Sequence, residues 1–285
     1  MDNKVVVITD SMAGIPKQMV EQYKIMIVPI MLLVQGKLYR DGVDISPSEA
    51  YKMLLQDPES FKTSPASPGH FLEAYCEANK YAKSILCITL SSKLSTAYDV
   101  ACIAKEQAKS ELPEALIEVV DSQNVLASEG FVALAAARAA MQGKDLAEVV
   151  KVAEEVRDKS TFLVVLDTIR YAYRTGRIPK VASKIGSLLN IKPILSISSG
   201  LVRFKGMVRN REKGIKRMLE MLRDRVGQSP VHVAVMHAYA LDDAERLKER
   251  ISSEFNCAEI FITEFSPVMG YATGTGTLGF AFYKD

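Results

Sequence analysis

Three apolar runs in this 285-residue chain each stop at a short polar cluster. Val5-Val6-Val7-Ile8 gives way to Thr9-Asp10-Ser11, Ile85-Leu86-Cys87-Ile88 to Thr89-Leu90-Ser91-Ser92, and Ile117-Glu118-Val119-Val120 to Asp121-Ser122. Such runs predict parallel strands buried on both faces, with their carboxyl ends on one rim. In an open α/β sheet the ligand sits beyond those ends, where free N–H groups and short polar side chains face a common crevice. The pattern thus defines a hydroxyl-rich rim before it names a ligand.

Helices are expected after each rim strand, over about 16–23, 93–109 and 125–142. In the second, Leu94, Ala97, Tyr98, Ala101, Ala104 and Ala108 share one face at helical spacing. Between the first two rim strands lies an insertion at about 25–67: a hairpin at Ile25–Leu33 and Lys37–Tyr39, a helix behind the Ser46-Pro47-Ser48-Glu49 capping box, and a loop to Thr63-Ser64-Pro65-Ala66-Ser67-Pro68. Another capping box, Asp145…Glu148, opens a helix to about Lys159.

After Ser160 strands dominate, at Phe162–Leu166, Ile194–Ile197, Leu201–Val208, Val231–Met236, Ile260–Phe265 and Thr277–Tyr283. Helices are expected near Lys180–Leu189, Glu212–Val226 and Asp242–Phe255. The Ser198-Ser199-Gly200 turn makes a hairpin, so this half reads as α+β with a mainly antiparallel sheet. The fold class is therefore α/β in two domains, 1–160 and 161–285, with the ligand between them.

Composition excludes several classes. The chain is 48% hydrophobic and 25% charged, and no apolar run reaches the roughly 20 residues of a membrane span, so a cytoplasmic protein without stable membrane insertion is expected. Cys76, Cys87, Cys102 and Cys257 are far apart and form no CxxC, which predicts free thiols. With three histidines and no GxSxG, GxxxxGK[ST] or HExxH pattern, neither a metal site nor a cofactor is expected. Asp10-Ser11-Met12 lacks the second acid of an aspartyl-phosphate hydrolase. The net charge of +2 hides an asymmetry: between Thr168 and Arg217 stand thirteen Lys or Arg and one acid, Glu212. Such a segment steers an anionic partner, unless acids elsewhere in the fold balance it.

What is left is a crevice rich in Thr and Ser and poor in acids, bases and metal ligands. Hydroxyls donate hydrogen bonds to a carboxylate without adding charge, which suits an anionic head group whose tail lies in apolar walls. The same serines can serve as helix caps, and Thr63 can close a turn before Pro65. The turn Gly270–Gly276 can cradle an anion through backbone N–H groups or be an ordinary turn before a strand.

These residues resemble the DegV family of fatty-acid-binding proteins, which present acyl chains to a fatty acid kinase. The likeness runs the length of the chain. It rests on Thr9-Asp10-Ser11, Thr63-Ser64 with Ser67, Ser91-Ser92, Leu94-Ser95 and Tyr98, Asp121-Ser122 with Gly130, Asp167 through Gly176-Arg177-Ile178, and Lys192-Pro193. The resemblance implies that Thr63 and Ser95 hydrogen-bond the carboxylate of a long-chain fatty acid, the bound ligand, and that its tail lies between the domains. It leaves Ser11, Ser92, Thr96, Ser122 and Thr273 as supporting rim candidates. The chain departs from the family at Pro65-Ala66, Thr96-Ala97 and Thr175, and Ala272 stands where the family commonly has histidine.

The first reading is a non-catalytic lipid carrier that docks an acidic partner such as a fatty acid kinase through the basic segment, with Arg170, Arg174, Arg177, Arg203, Lys205 and Arg209 as candidates. An acyl hydrolase or phosphotransferase using a rim serine is the alternative, which needs a base near Ser92 or Ser95. A nucleic-acid-binding regulator would explain the basic segment, but no helix-turn-helix or aromatic stacking motif accompanies it.

Overall fold

The computed structural model describes residues 4–168, 171–172, 175–177 and 191–284. The helix expected near Lys180–Leu189 lies outside the described residues, as do Arg170 and Arg174. The chain opens with β1 (Val5–Asp10), a helical turn at Ser11–Ala13, α1 (Lys17–Gln22) and β2 (Met26–Val28). The insertion supplies β3 (Met31–Val34), β4 (Lys37–Arg40), α2 (Pro47–Gln56) and β5 (Phe61–Ser64). Then come α3 (Pro68–Asn79), β6 (Ser84–Thr89), α4 (Ala97–Glu111), β7 (Leu116–Asp121), α5 (Ala127–Met141) and α6 (Leu146–Lys159). Beyond Ser160 follow β8 (Thr161–Val165), β9 (Lys192–Ser198), β10 (Leu201–Val208) and α7 (Arg211–Val226). The chain closes with β11 (Val231–His237), α8 (Leu241–Glu254), β12 (Cys257–Glu264), α9 (Pro267–Thr273) and β13 (Leu278–Lys284).

The three rim strands lie side by side and parallel in a four-stranded sheet of order β2-β1-β6-β7. Thr9 pairs with Ile88 and Thr89 with Asp121, so the polar ends stand level. The second sheet, β10-β9-β8-β13-β11-β12, is antiparallel at every pairing except β11 with β12. The architecture is thus mixed α/β, with one parallel sheet and one mainly antiparallel sheet, as the two halves of the sequence pattern predict.

The insertion differs from the hairpin expected at Ile25–Leu33. Met26–Val28 joins the first sheet as a parallel edge strand beside β1. Pro29, which has no N–H for a ladder, then breaks the run, and the hairpin is Met31–Val34 against Lys37–Arg40, with β5 added on the other side. The expected capping boxes at Ser46 and Asp145 form, and Ser67 caps α3 through a box in which His70 fills the third position.

Side-chain alternation sorts the two sheets into five layers. Val6 and Ile8 face Phe71, Tyr75, Ala101 and Ala104 of α3 and α4, whereas Val5 and Val7 face inward. In the second sheet Leu163 and Val165 meet Met218 and Leu247 of α7 and α8, whereas Phe162 and Val164 face inward. Between the two inward faces lies α5. Thirteen of its fifteen residues are buried, which is the signature of a helix with no solvent face. Phe131 sets its ring edge-on to Phe261 and Tyr283 of the second sheet, at 5.7 and 5.0 Å between centroids. On the opposite side Gly130 packs so closely on the turn after β1 that a Cβ would collide with the Ala13 carbonyl oxygen.

One carboxyl rides into this core. Glu129 of α5 is fully buried and accepts a hydrogen bond from Thr9 Oγ1 at 3.1 Å. Burial and the neighbouring Asp10 carboxylate hold it well above the ordinary Glu range, which favours its protonated form. Asp10 is itself pushed up to about 6 by burial, against the pull of the Leu90 and Met12 N–H groups and of Glu129.

Both carboxyls have folded-state pKa values above their unfolded ones. The folded state therefore binds more protons, and stability falls as pH rises from about 4 through the folded values. Glu129→Gln, which needs no proton, is expected to raise the melting temperature near neutral pH, with the gain shrinking towards about pH 4. Gly130→Ala would add about 1 kcal/mol in an open helix. Here it is expected to remove about 1–3 kcal/mol in urea denaturation, because the new methyl meets backbone.

Candidate functional site

The segment between β6 and α4, residues 90–96, is a turn instead of the helical start expected near Lys93. Its N–H groups are occupied by acids and a carbonyl from neighbouring strand ends. Asp10 accepts from Leu90 N at 2.9 Å and Asn124 O from Ser91 N at 2.8 Å. Asp121 accepts from Ser92 N at 3.2 Å and from Ser92 Oγ at 2.5 Å. The second half of the chain grips the same turn. Ser91 Oγ donates to Gly200 O and Lys93 Nζ to Ser199 O, both at 2.8 Å, while Arg177 Nε donates to Leu94 O at 2.7 Å. Ser95 is therefore fixed from both sheets.

A cavity with about 120 Å³ of water-accessible space opens between the sheets beside this turn. One water needs about 10–15 Å³ on that measure, so the space is several times what a single water requires. Its walls are mostly apolar. Met12, Leu90 and Leu94 come from the first rim, Val125 and Leu126 from the start of α5, Phe162, Val164 and Leu195 from the second sheet, and Phe265, Val268 and Met269 from the chain around α9. Thr63, Ser64, Ser95, Thr175, Arg177, Tyr271 and Thr273 supply polar atoms. Arg177 is the one charged residue among the described lining residues.

Thr63 and Ser95, far apart in sequence, thus line one cavity. Thr63 arrives on β5, where it pairs with Leu32, and its hydroxyl has no hydrogen-bond partner among the described residues. Ser95 Oγ accepts from Ala97 N at 3.3 Å, which leaves its proton available to an anion. Thr273 also lines the cavity, but its hydroxyl is directed to Met269 O at 3.0 Å.

The other rim candidates are committed to the fold. Ser11 Oγ accepts from Ile30 N at 3.1 Å and supports the buried Asp41 carboxylate together with Ser266, whose Oγ donates to Asp41 at 2.6 Å. Ser122 exchanges hydrogen bonds with the Asn124 backbone, and Ser92 is held by Asp121. Thr96 is exposed at the cap position of α4 without a side-chain capping bond.

The basic segment divides. Asp167 pairs with Lys192 at 2.7 Å and Arg211 at 2.9 Å, and Arg211 also pairs with Asp243. Arg217 meets Glu220 at 3.2 Å. Arg203, Lys205 and Arg209 stay exposed on or just after β10, an edge strand, with no ion pair among the described residues. Among the described residues no cluster of three or more His, Cys, Asp or Glu could hold a metal, and no helix is long and apolar enough to cross a membrane.

Two contributors escape a reading of the sequence. The first is α9, where the glycines of Gly270–Gly276 mask a helix that the cap Ser266 and the first-position Pro267 do signal. The insertion packs there: Tyr51 Oη donates to Phe265 O at 3.0 Å, and its ring fills the space a Cβ on Gly270 would need. The second is Leu126, a wall residue held at φ 59°, ψ −151°, a conformation nearly confined to glycine, for which no local signal exists.

Comparison with known proteins agrees with this fold. The family model described as "Uncharacterised protein, DegV family" matches residues 4–285. A DegV domain-containing protein of Streptomyces coelicolor is 33% identical over 281 residues, covering 98% of each chain. One from Clostridium acetobutylicum is 31% identical over 284 residues, covering 99% of each. Among solved structures, DegV of Bacillus subtilis, described as a fatty acid binding protein, superposes with a TM-score of 0.89 at 28% identity over 99% of each chain. A DegV family protein of Thermus thermophilus, described by its fatty acid binding, superposes with a TM-score of 0.90 at 26% identity over 99% of this chain and all of its own. With a family match from residue 4 to the C-terminus and relatives above 30% identity over nearly the whole length, the chain belongs to the DegV family.

Proposed function

We propose that this protein is a carrier that binds a long-chain fatty acid, performs no chemistry on it, and presents it to an acidic protein partner such as a fatty acid kinase. The observation that carries the reading is the apolar cavity between the sheets with the Thr63 and Ser95 hydroxyls in its lining. The division into domains at about residue 160 belongs to the same reading. The carboxylate accepts from Thr63 Oγ1 and Ser95 Oγ, and Arg177, already tied to Leu94 O, offers its remaining guanidinium donors and charge. The tail lies along the apolar walls.

Magnitudes assign the roles. At about 0.8 kcal/mol per buried methylene, some fifteen methylenes provide on the order of 12 kcal/mol before ordering costs. Each hydrogen bond to the carboxylate, worth roughly 1.5–3 kcal/mol, mainly offsets its lost hydration and sets which end is held at the rim. The hydroxyls orient, and the tail supplies affinity. A hydrolase is less well supported: Ser92, although hydrogen-bonded to Asp121, does not line the cavity, and for Ser95 no imidazole or carboxylate is among the described lining residues to act as base. The exposed Arg203, Lys205 and Arg209 support the docking surface, and Arg170 and Arg174 belong to the same proposal, whereas Arg177, expected there too, is assigned to the cavity whose wall it lines.

Denaturing extraction and mass spectrometry of the purified protein is expected to recover a stoichiometric fatty acid. Absence of lipid, together with no acyl-chain uptake by the stripped protein, would refute the carrier reading. Thr63→Ala and Ser95→Ala are each expected to weaken fatty acid binding by roughly 10- to 150-fold, whereas Thr273→Ala should change it little. Equal losses at all three positions would overturn the clamp. Replacing Arg203 and Arg209 with Glu is expected to leave fatty acid affinity intact and to weaken association with a fatty acid kinase, read by surface plasmon resonance.

A further inference from the structure

A second concavity, with about 590 Å³ of water-accessible space, shares no lining residue with the first. It lies where the end of α6, the β9–β10 hairpin and the end of α7 converge, over a floor that includes Phe282. Three cations line it, and they are not equivalent. Arg157 is neutralised by Asp158 at 2.8 Å and Glu154 at 3.2 Å. Lys205 and Arg225 have no ion pair among the described residues, and the Arg225 guanidinium lies 6.0 Å from the centroid of the Phe282 ring.

The second observation is independent of charge. Ser160 lines the same cleft at 8% exposure, and its backbone N–H closes α6 on Val156 O. Its Oγ is buried and has no hydrogen-bond partner among the described residues. Buried hydroxyls are rarely left this way, and where they are, an absent partner is the first explanation to test. Protection of an edge strand accounts for Lys205 on β10. It accounts for neither Arg225 on α7 nor the Ser160 hydroxyl.

We propose that this cleft is a second ligand site, taking a small free anion with a phosphoryl group under the charges of Lys205 and Arg225, to which the Ser160 hydroxyl, buried in the wall, turns to donate. Exposed cations gain little from one monovalent carboxylate, because each pair is screened by water. A phosphoryl group carries up to two charges and three oxygens, enough to engage two cations and a hydroxyl together. The concave shape suits a small molecule better than a flat polyanion. The site does not depend on fatty acid binding; it shares Lys205 with the proposed docking surface, whereas Arg225 has no part in either that surface or the clamp.

Calorimetric titration of the full chain with inorganic pyrophosphate, at ionic strength held constant with potassium chloride, tests it. Saturable binding is expected at one site per chain. Arg225→Gln should weaken it at least tenfold and Ser160→Ala several-fold, while Lys213→Gln, outside the cleft, should leave it unchanged. Thermal melts verify that each variant is folded. Absence of saturable binding, or affinity unchanged in Arg225→Gln, overturns the proposal. Arg225-dependent binding to phosphatidylglycerol vesicles without pyrophosphate binding also overturns it, since the cleft would then serve a membrane surface instead of a small anion.

Discussion

The burial of α5 on all sides is the constraint on which the architecture rests. A helix with no solvent face must be enclosed, and here the enclosing surfaces are two sheets of different construction. Alanine and glycine on the side of the parallel sheet let the backbone approach closely, and Phe131 fills the larger gap towards the antiparallel one. The halves of the chain therefore share a core while each keeps a separate outer one. The cavity lies beside the first residues of this helix, where the helix no longer fills the space between the sheets.

The acids at the rim divide their work by burial. Asp10 and Asp121 sit at the ends of β1 and β7 and both hold the turn after β6, yet neither lines the cavity. Asp10 tolerates full burial because two N–H groups and the protonated Glu129 face it. The fold thus spends carboxylates on positioning and leaves hydroxyls and one guanidinium on the cavity wall. In the proposed carrier, that separation keeps like charge away from the carboxylate.

Much of the fold is legible in the sequence because its signals are local. Strand ends, the boxes at Ser46 and Asp145 and the Ser198–Gly200 hairpin each lie within a few residues. What escaped depends on distance along the chain. The bond from Ser91 to Gly200 spans 109 residues, and that from Asp10 to Leu90 spans 80. No period records them, so the turn at 90–96 reads as the first turn of a helix. The basic segment misleads in the same way: Asp243, which partners Arg211, lies in a different element, so a run of cations in sequence becomes a mixed surface in space. Thr63 and Ser95 show the reverse. Family resemblance named them as a pair, and the topology carries both to one cavity although neither sits in a pattern that predicts it.

The two-sided grip on residues 90–96 has a mechanical consequence. Its anchors belong to the parallel sheet at Asp10, Asp121 and Asn124, and to the other half of the chain at Gly200, Ser199 and Arg177. Any motion that parts the sheets at this turn must break one set of these bonds. In the proposed carrier, the seryl latch at the rim and the apolar channel behind it therefore cannot open one at a time: unlatching the head and unsheathing the tail are a single event.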